Sequence, residues 1–225
     1  MQDQQAALDW QEGVIPISVQ FDDPYFSADG GQAEKAHVFL AGNDLPTRFG
    51  NDFQIAELGF GTGLNLLVTW AAWLQAGSPG QLTFTSFEGF PMGLADQARA
   101  LAAFPDLARL ARPLLAALAT GPGPFALTDT MTLHLITGDA RDTLPLWRGQ
   151  ADAWYLDGFS PAKNPEMWGA GLLAQVGLHT APSGTAATYT AAGHVRRALT
   201  AAGFEVTRQP GYGRKRHMTT ARKPH

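Results

Sequence analysis

The sequence contains no cysteine, and its six histidines are scattered along the chain. The absence of cysteine excludes disulfide bonds, thiolate metal sites and a cysteine nucleophile. Because the histidines do not recur at the spacing of metal ligands either, we predict no bound metal. These absences disfavour the thiol-dependent and metal-dependent classes of enzyme.

The sequence also lacks the apolar segments that membrane insertion and secretion require. No apolar run approaches the ~18 to 20 residues of a membrane span. Residues 1–10 lack the basic-then-apolar order of a signal peptide. There is no internal repeat or low-complexity linker, and 225 residues suffice for one α/β domain with a sizeable core. We therefore expect a single cytoplasmic domain, residues 1–225, without membrane association. Nothing in the sequence specifies an oligomeric state.

Charge is distributed unevenly along the chain. Residues 1–195 contain eight Lys or Arg and nineteen Asp or Glu, whereas residues 196–225 contain eight basic residues and one acid, Glu205. A basic C-terminal segment on an acidic body favours a polyanion as partner, although a solvated charged tail has the same composition.

From Phe53 onward, strand-like and helix-like stretches alternate. The predicted strands are 53–58, 82–87, 131–137, 153–156, 185–190, 204–209 and 216–222, and the predicted helical regions are 64–75, 94–118 and 194–202. Residues 77–80 and 121–124 are predicted loops. This alternation predicts a mostly parallel sheet with helices on both faces, made mixed by the last two strands. The first fifty residues predict short strands or loops over one sheet edge.

The strongest local signal is a glycine-rich turn after the first core strand. The segment IAELGFGTGLN has a buried strand with Glu57 near its end, then a G-x-G-x-G turn at Gly59, Gly61 and Gly63, then a helix. Glycines let the backbone turn sharply and let a ligand approach it closely. The spacing differs from the G-x-G-x-x-G of dinucleotide sites. An acid with this turn suits a cationic ligand that bears hydroxyls, such as S-adenosylmethionine.

Two further acids follow the next core strands. Glu88 comes after the strand 82–87, and Asp139 after the strand 131–137. In an open α/β sheet, these strand ends border the ligand crevice. A carboxylate at Glu88 can accept hydrogen bonds from both ribose hydroxyls, and Asp139 can hold an adenine amine. Each acid alone is more often a cap or loop residue, but three at successive strand ends favour a nucleoside-bearing cofactor.

The most specific stretch of the chain is YLDGFSPAKNPEMW, which follows the fourth core strand. Methyl transfer to an amine needs a deprotonated nitrogen, so an acceptor such as Asp157 is useful. Phe159, with Pro161 and Pro165, can wall a flat base, whereas the simpler interpretation is an Asp-Gly turn ordered by prolines. The absence of cysteine disfavours methylation at pyrimidine carbon five, which usually proceeds through a thiolate adduct.

Together these stretches resemble the methyltransferase domain of the MnmC family, which modifies the wobble uridine of tRNA, and its stand-alone MnmD-like form. The matching stretches run from near residue 8 to near residue 222: FDDPYFSADGG, VFLAGNDLPTRF, AELGFGTGLN, SFEGFP, DAWYLDGFSPAKNPEMW, YTAAGHVRRALTAAGF and GYGRKRHM. The resemblance implies a Rossmann-like class I S-adenosylmethionine-dependent methyltransferase with a mostly parallel seven-stranded sheet and an antiparallel C-terminal strand. Residues 51–225 would form its core, and residues 1–50 an extension over the sheet edge and active site.

The implied reaction methylates the exocyclic amine of 5-aminomethyl-uridine, often 2-thiolated, to give 5-methylaminomethyl-uridine. By motif match, the implied cofactor-binding residues are Glu57, Gly59, Phe60, Gly61, Gly63, Asn65, Glu88, Asp139, Ala140 and Asp157. Asp157 is implied to be catalytic, beside both the sulfonium and the substrate amine.

The resemblance also implies contacts to the substrate. The substrate-binding candidates are Tyr25, Phe26, Phe159, Pro161, Lys163 and Asn164. Tyr25 and Phe26 are equally compatible with core packing. The candidate contacts to phosphates of the tRNA anticodon stem-loop are Arg196, Arg197, Arg214, Lys215 and Arg216. Pairing of one or two of them with acids of the body is the competing interpretation.

Several positions depart from the family pattern. Where the family commonly reads GLEETRYVFL, this chain reads GQAEKAHVFL, so that Ala36 and His37 replace Arg-Tyr and put a substrate contact from that loop in doubt. Gly89 replaces a common lysine, His194 a phenylalanine and His217 a glutamate. None of these positions belongs to the proposed chemical core.

In many family members the domain is fused to a FAD-dependent oxidase that removes a carboxymethyl group from the precursor base. This chain has no second glycine-rich dinucleotide motif, so we expect the oxidase, fused or separate, to act upstream. Three alternatives remain: a methyltransferase of the same fold acting on a small-molecule or protein amine, a nicotinamide-dependent oxidoreductase, and an inactive tRNA-binding module. The basic C-terminal cluster disfavours the first, the glycine spacing the second and the strand-end acids the third.

Overall fold

The computed structural model describes residues 5–27 and 30–225. Residues 1–4 lie outside the described residues, as do Ala28 and Asp29 of the stretch FDDPYFSADGG. For residues 1–4, the expected lack of a signal peptide therefore stays a prediction from the sequence. Within the described ranges, no helix is long and apolar enough to cross a membrane.

Within the described residues, eleven strands form two sheets. The strands are β1 Leu8–Gln11, β2 Ile15–Ser18, β3 Asp23–Pro24, β4 Phe53–Leu58, β5 Leu82–Glu88, β6 Phe125–Thr128, β7 Met131–Thr137, β8 Ala151–Leu156, β9 Thr180–Thr188, β10 Glu205–Pro210 and β11 His217–Arg222. Strands β1–β3 make a small antiparallel sheet. The other eight have the spatial order β10-β11-β9-β8-β4-β5-β7-β6, and the five from β9 to β7 are parallel.

The predicted α/β sheet is confirmed, with β11 antiparallel between β9 and β10. The sheet has one strand more than the seven expected, because β6 pairs antiparallel with β7. Only Phe125 of its four residues is buried. Such a short edge strand has no apolar periodicity to reveal it, so the sequence shows only the preceding glycine- and proline-rich turn.

In the part of the chain that the structure describes, seven α-helices connect the strands. They are α1 Gly31–Lys35, α2 Leu64–Gln75, α3 Leu94–Leu101, α4 Ala108–Leu118, α5 Ala140–Thr143, α6 Ala170–Leu178 and α7 Gly193–Ala201. The predicted helical region 94–118 is divided into α3 and α4 at Pro105. Proline lacks the N–H of a helical hydrogen bond and disfavours helical backbone at the preceding residue, Phe104, which has φ −121° and ψ 73°.

Helices cover both faces of the sheet because neighbouring strand residues point to opposite sides. Ile55 and Tyr155 belong to a core shared with α2 and α4, whereas Ala56 and Trp154 belong to a second core shared with α6 and α7. The central strands are therefore apolar on both faces. They hold their carboxyl ends rigidly at one edge of the sheet, where the loops that carry the site begin.

The segment before β4 packs against both α3 and the loop after β8. The Arg99 guanidinium lies 3.9 Å from the ring centroid of Trp10, and its Nε donates to the Gly13 carbonyl at 3.0 Å. The Asp23 carboxylate accepts a hydrogen bond from the Ser160 N–H at 2.7 Å. The division into an extension and a core remains a prediction, but this segment does reach the end of β8.

Candidate active site

A cavity of about 550 Å³ lies at the carboxyl ends of the parallel strands. The loops after β4, β5, β7 and β8 line one side, which we call the sheet wall. The other side, the outer wall, is lined by residues 20–27, by α1 and the turn that follows it, by Tyr189 after β9, and by Lys215 between β10 and β11. Open α/β sheets bind ligands at this position.

The glycine turn forms the floor of the sheet wall. Gly59 and Gly61 have φ values of +87° and +52°, which disfavour residues with a side chain. A Cβ at Gly59 would lie 3.1 Å from the carbonyl oxygen of Asp157, and one at Gly61 would lie 3.0 Å from the Tyr25 ring. Glycine is therefore required both for the turn and for its contact with the opposite loops.

Phe60 lines the cavity with these glycines, whereas Gly63 lies outside the lining and is the N-cap residue of α2. Asn65, in the first turn of α2, connects two carboxylates: its Nδ2 donates to Glu57 Oε1 at 2.7 Å and to Asp157 Oδ2 at 2.8 Å. Its Oδ1 is buried and has no donor in the part of the chain that the structure describes. Because Asn65 lines the cavity, this oxygen can accept a hydrogen bond from a ligand.

Glu57 lies beneath the cavity and is not among its lining residues. Its side chain is fully buried and accepts hydrogen bonds from Ser86 Oγ at 2.6 Å and from Asn65. Burial raises the pKa of Glu57 to about 8, against the lowering effect of these hydrogen bonds. In this geometry Glu57 acts on the cavity through Asn65, and the sequence-based expectation of direct cofactor contact stays a prediction.

Glu88 lines the cavity at the end of β5. Its carboxylate accepts from the N–H of Gly61 at 2.8 Å and from the N–H of Phe90 at 2.7 Å. Burial raises its pKa, while the backbone donors oppose that rise. Each oxygen keeps a further lone pair, so the carboxylate is oriented and can still accept from a ligand hydroxyl.

Asp139 lies in a more open part of the sheet wall. It caps α5 by accepting from the Arg141 N–H at 2.8 Å, and it forms a bidentate pair with the Arg141 guanidinium. Hydrogen bonding to Arg141 lowers the pKa of Asp139, and Arg141 also contacts Glu166 at 2.9 Å. Ala140 and Arg141 line the cavity beside it. A ligand amine at Asp139 must therefore share the carboxylate with Arg141.

Asp157 lies where β8 ends, and only 14% of its side chain is exposed. Its Oδ2 contacts the Lys35 ammonium and accepts from Asn65, and its Oδ1 accepts from the Gly158 N–H at 2.9 Å. Lys35 is the last residue of α1 and is 11% exposed. The acid proposed as the acceptor thus already has a cation as partner.

Aromatic rings cluster next to Asp157. Phe159 stacks on Phe21 at 4.8 Å between centroids and meets Tyr25 edge-on at 5.0 Å, while Phe21 also meets Phe90 at 5.6 Å. All four rings line the cavity. Burial raises the pKa of Tyr25, which therefore stays neutral at physiological pH. The rings form an apolar wall beside a polar acceptor.

The remaining substrate candidates take different positions. Phe26 is buried against Phe104 and still contributes to the lining. Asn164 is buried and lines the cavity, whereas Pro161 does not. Lys163 also lies outside the lining and contacts Asp22. The structure therefore brings Phe26 and Asn164 to the cavity and leaves the other two at its margin.

Lys215 is separated from its basic neighbours. Its ammonium contacts Glu34 at 2.7 Å and lies 4.3 Å from the Tyr189 ring centroid, and it lines the cavity. Glu34 is 7% exposed, and it also accepts from Ser27 Oγ at 2.5 Å. Hydrogen bonds from Lys215 and Ser27 lower the pKa of Glu34 against the effect of burial. Lys215 therefore connects the turn between β10 and β11 to α1 and closes the outer wall.

The four candidate arginines lie outside the cavity lining. Arg214 and Arg216 are exposed in the turn between β10 and β11, and Arg197 is exposed on α7. Arg196 is half-buried, and its Nε has no hydrogen-bond partner in the described ranges. The exposed three are the ones free to meet a phosphate.

Several lining residues were not predicted from the sequence. They are Phe21, Glu34, Lys35, Phe90, Arg141, Glu166 and Tyr189. Phe21 and Phe90 lie in the matched stretches FDDPYFSADGG and SFEGFP, so their position was a usable signal. Lys35 gave none, because it lies in the stretch where the chain departs from the family pattern.

Known proteins resemble this chain over almost all of its length. A family model described as S-adenosyl-L-methionine-dependent methyltransferase matches residues 111–224. The tRNA 5-methylaminomethyl-2-thiouridine biosynthesis bifunctional protein MnmC of Pseudomonas paraeruginosa is 47% identical over 225 residues, which cover 96% of this chain and 34% of that protein. The protein of the same name from Marinobacter nauticus is 45% identical, covering 97% of this chain and 37% of its own length. The chain therefore spans about a third of these curated relatives.

Solved structures agree on the fold. The crystal structure of MnmC2 from Aquifex aeolicus has a TM-score of 0.79 at 24% identity and covers 100% of this chain and 73% of that one. The S-adenosylmethionine-bound amino pentose methyltransferase CalS10 of Micromonospora echinaspora has a TM-score of 0.50 at 14% identity, with 85% and 91% covered. Both carry the Rossmann-like class I methyltransferase architecture, as expected from the sequence.

Proposed function

The chain belongs to a family of S-adenosyl-L-methionine-dependent methyltransferases, and we propose that it methylates the exocyclic amine of 5-aminomethyl-uridine, 2-thiolated or not, at the wobble position of tRNA. One observation carries the proposal: the carboxylate of Asp157 opens into the same cavity as the glycine turn and Glu88, next to the rings of Phe159 and Tyr25. A cofactor site, a proton acceptor and an aromatic surface thus meet in one cavity. The names of the relatives supply the tRNA base.

The sheet wall fits the cofactor. Gly59 and Gly61 leave backbone that a ligand can approach, Glu88 presents an oriented acceptor for hydroxyls, and the buried Asn65 Oδ1 has no donor within the described ranges. These groups would hold the methionine and ribose parts, and Asp139 with Ala140 would border the adenine. When bound, S-adenosylmethionine supplies an electrophilic methyl group on a sulfonium.

Asp157 would orient the substrate amine. Its two oxygens are already fixed by Asn65 and by the Gly158 N–H, so the carboxylate has a set direction toward the cavity. An N–H of the amine would donate to Asp157, leaving the nitrogen lone pair free for the methyl carbon. Asp157 would thus hold the amine toward the methyl group that the bound cofactor would supply, and Asp157 or water would take the surplus proton of the methylated nitrogen.

The aromatic wall would hold the base. A pyrimidine has flat faces and few polar edges, so it stacks on rings such as those of Phe159 and Tyr25. Asn164 supplies an amide beside them. Phe26 would support this wall from behind, while Pro161 and Lys163 would border the mouth.

Arginines outside the cavity would bind the anticodon stem-loop. We assign this role to Arg197, Arg214 and Arg216, which are exposed, and assign Lys215 to the cavity wall because Glu34 already engages it.

Residues 1–225 would act as one methyltransferase domain in the cytoplasm, where tRNA is modified. A FAD-dependent oxidase, fused or separate, would act upstream; the relatives are named bifunctional.

A single-turnover assay tests the proposal. The chain is mixed with methyl-labelled S-adenosylmethionine and bulk tRNA from cells that lack this methyltransferase activity, and the tRNA nucleosides are separated by mass. We expect label in 5-methylaminomethyl-uridine or its 2-thio form. Cofactor binding without label in tRNA would reject the tRNA substrate and favour a small-molecule amine.

A further inference from the structure

We propose that Lys35 is a positioning residue that makes Asp157 select the substrate amine in its neutral, nucleophilic form. The inference rests on the proposed function, methyl transfer to a primary amine. It concerns a residue that lies in the part of the chain where the sequence departs from its family, and it gives the outer wall a direct role in the chemistry.

The ion pair of Lys35 and Asp157 is built into the cavity. The two side chains are 11% and 14% exposed, and both line the cavity. The Lys35 ammonium contacts Asp157 Oδ2 and lies 5.4 Å from the ring centroid of Phe39. Because the pair is largely withdrawn from water, solvent screens the charge of Lys35 less than it would screen that of a surface lysine.

That charge changes which form of an amine binds. An alkylamine is mostly an ammonium at neutral pH and then has no lone pair for methyl transfer. An unpaired carboxylate in a partly buried site would stabilise the ammonium and hold it unreactive. With Lys35 in place, an incoming ammonium meets a carboxylate that is already neutralised, and it also meets the like charge of Lys35. The neutral amine, which donates one N–H to Asp157, is then the better ligand.

Other titratable groups around the pair do not reverse this balance. Those facing it from the surrounding elements are Asp23, Tyr25, Glu34, Glu57, Glu88, Tyr189 and Lys215. The burial-raised pKa of Glu57, about 8, leaves that acid mostly protonated at neutral pH. Glu34 is matched by Lys215, and burial raises the pKa of Tyr25 and of Tyr189, so that both stay neutral.

The two acids that remain are engaged by backbone donors. Asp23 accepts from the Ser160 N–H at 2.7 Å, and Glu88 accepts from two backbone N–H groups of the sheet wall. Asp23 and Glu88 are thus directed toward the backbone, whereas Lys35 and Asp157 contact each other beside the position proposed for the amine.

The proton balance follows directly. The substrate ammonium loses one proton to solvent as it binds. The neutral nitrogen would then receive the methyl group that the bound cofactor would supply, which would leave the cofactor as a neutral thioether. The methylated product is a secondary ammonium, which would leave charged or give up a proton.

Calorimetry of tRNA binding tests this balance without any methyl transfer. No cofactor is added. Transfer RNA that carries 5-aminomethyl-uridine is titrated into the cofactor-free chain near neutral pH, in two buffers of different ionisation enthalpy. The same tRNA with unmodified uridine gives the baseline. We expect the wild type and Lys35→Arg to release about one proton per tRNA above the baseline, and Lys35→Met to release almost none. Arg112→Met, an exposed cation on α4 outside the cavity lining, is the matched control and should behave as wild type.

The pH profile of single-turnover methyl transfer gives the second readout. In Lys35→Met, the rise in rate on the acidic side of the profile should shift to higher pH by about one unit or more. In Lys35→Arg, this rise should return to the wild-type pH. A loss of packing alone would lower the rate equally at every pH. Equal proton release by the wild type and Lys35→Met, or profiles that coincide after scaling, would overturn the role of Lys35 while leaving the proposed function intact. A wild type that transfers no methyl group to this tRNA would instead reject the proposed function, and this inference with it.

Discussion

The sheet wall and the outer wall of the cavity are held together by different means. In the sheet wall, Gly61 and Glu88 are fixed by backbone turns and strand ends, which the central sheet holds in place. In the outer wall, Lys35 contacts Asp157 across 122 positions of sequence, and Lys215 contacts Glu34 across 181. The sheet wall is therefore preorganised by the fold, whereas the outer wall depends on a few charged side chains. We expect substitutions at the glycine turn and at Glu88 to impair cofactor binding, and substitutions at Asp157 and Lys35 to impair handling of the substrate.

The largest expected effect separates chemistry from cofactor binding at Asp157. Asp157→Asn keeps the size of the side chain but removes the negative charge that accepts from the substrate amine, so we expect methyl transfer to fall by roughly 10²–10⁴-fold. The dissociation constant for S-adenosylmethionine should change little, because the glycine turn and Glu88 are untouched. Single-turnover rates and cofactor titrations measure the two quantities. Near-normal transfer across the pH range would remove Asp157 from its role as acceptor.

The sheet wall is tested at Glu88. Glu88→Ala should weaken cofactor binding by about tenfold or more, because a buried carboxylate that orients the turn and accepts hydroxyls is lost. Binding of tRNA should change less. Titration of cofactor and of tRNA against the same protein compares the two, and Glu88→Gln, which keeps the shape and one acceptor, should be intermediate. An unchanged cofactor dissociation constant would contradict this assignment.

The acid beneath the sheet wall makes stability depend on pH. The pKa of Glu57 is raised from 4.5 to about 8 in the folded state, so the folded state holds the proton more tightly than the unfolded one. This contribution is fully present below pH 4.5 and is lost as pH rises toward 8. Glu57→Gln resembles the protonated acid and can still bond to Ser86 and Asn65.

Urea unfolding across that pH window measures the difference. We expect the free energy of unfolding of the wild type to fall toward high pH relative to that of Glu57→Gln. Parallel curves for the two proteins would show that Glu57 has the same pKa in both states.

The smallest expected effect distinguishes two neighbouring cations of the outer turn. Arg214→Met should reduce the slope of tRNA affinity against salt by roughly 0.7–0.9, the value of one released counterion. Lys215→Met should leave the slope nearly unchanged, since its ammonium pairs with Glu34. Salt titrations of tRNA binding to both variants measure this. Equal loss of slope in both would return Lys215 to the phosphate contacts.

The same division separates what sequence reasoning found from what it missed. The turn at Gly59, the acid Glu88 and the loop at Asp157 each follow a strand, and strand ends of a parallel sheet meet at one edge, so local patterns sufficed to bring them together. Strand β6 was not predicted, and α3 and α4 were predicted as one helical region, because short elements give weak periodicity. Lys35 could not be assigned, because its stretch departs from the family pattern and no local pattern indicates a partner 122 positions away.

The sequence itself determined the order of the apolar strands, the glycine turn and the strand-end acids. Each of these features depends on backbone geometry over fewer than a dozen neighbouring residues. Tertiary structure alone decided that Glu57 lies beneath the cavity, that Lys215 turns away from Arg214 toward Glu34, and that Lys35 meets Asp157. These outcomes depend on burial and on charges brought together through space. Both quantities are properties of the packed molecule, because the energy of a charge is set by whatever surrounds it after folding.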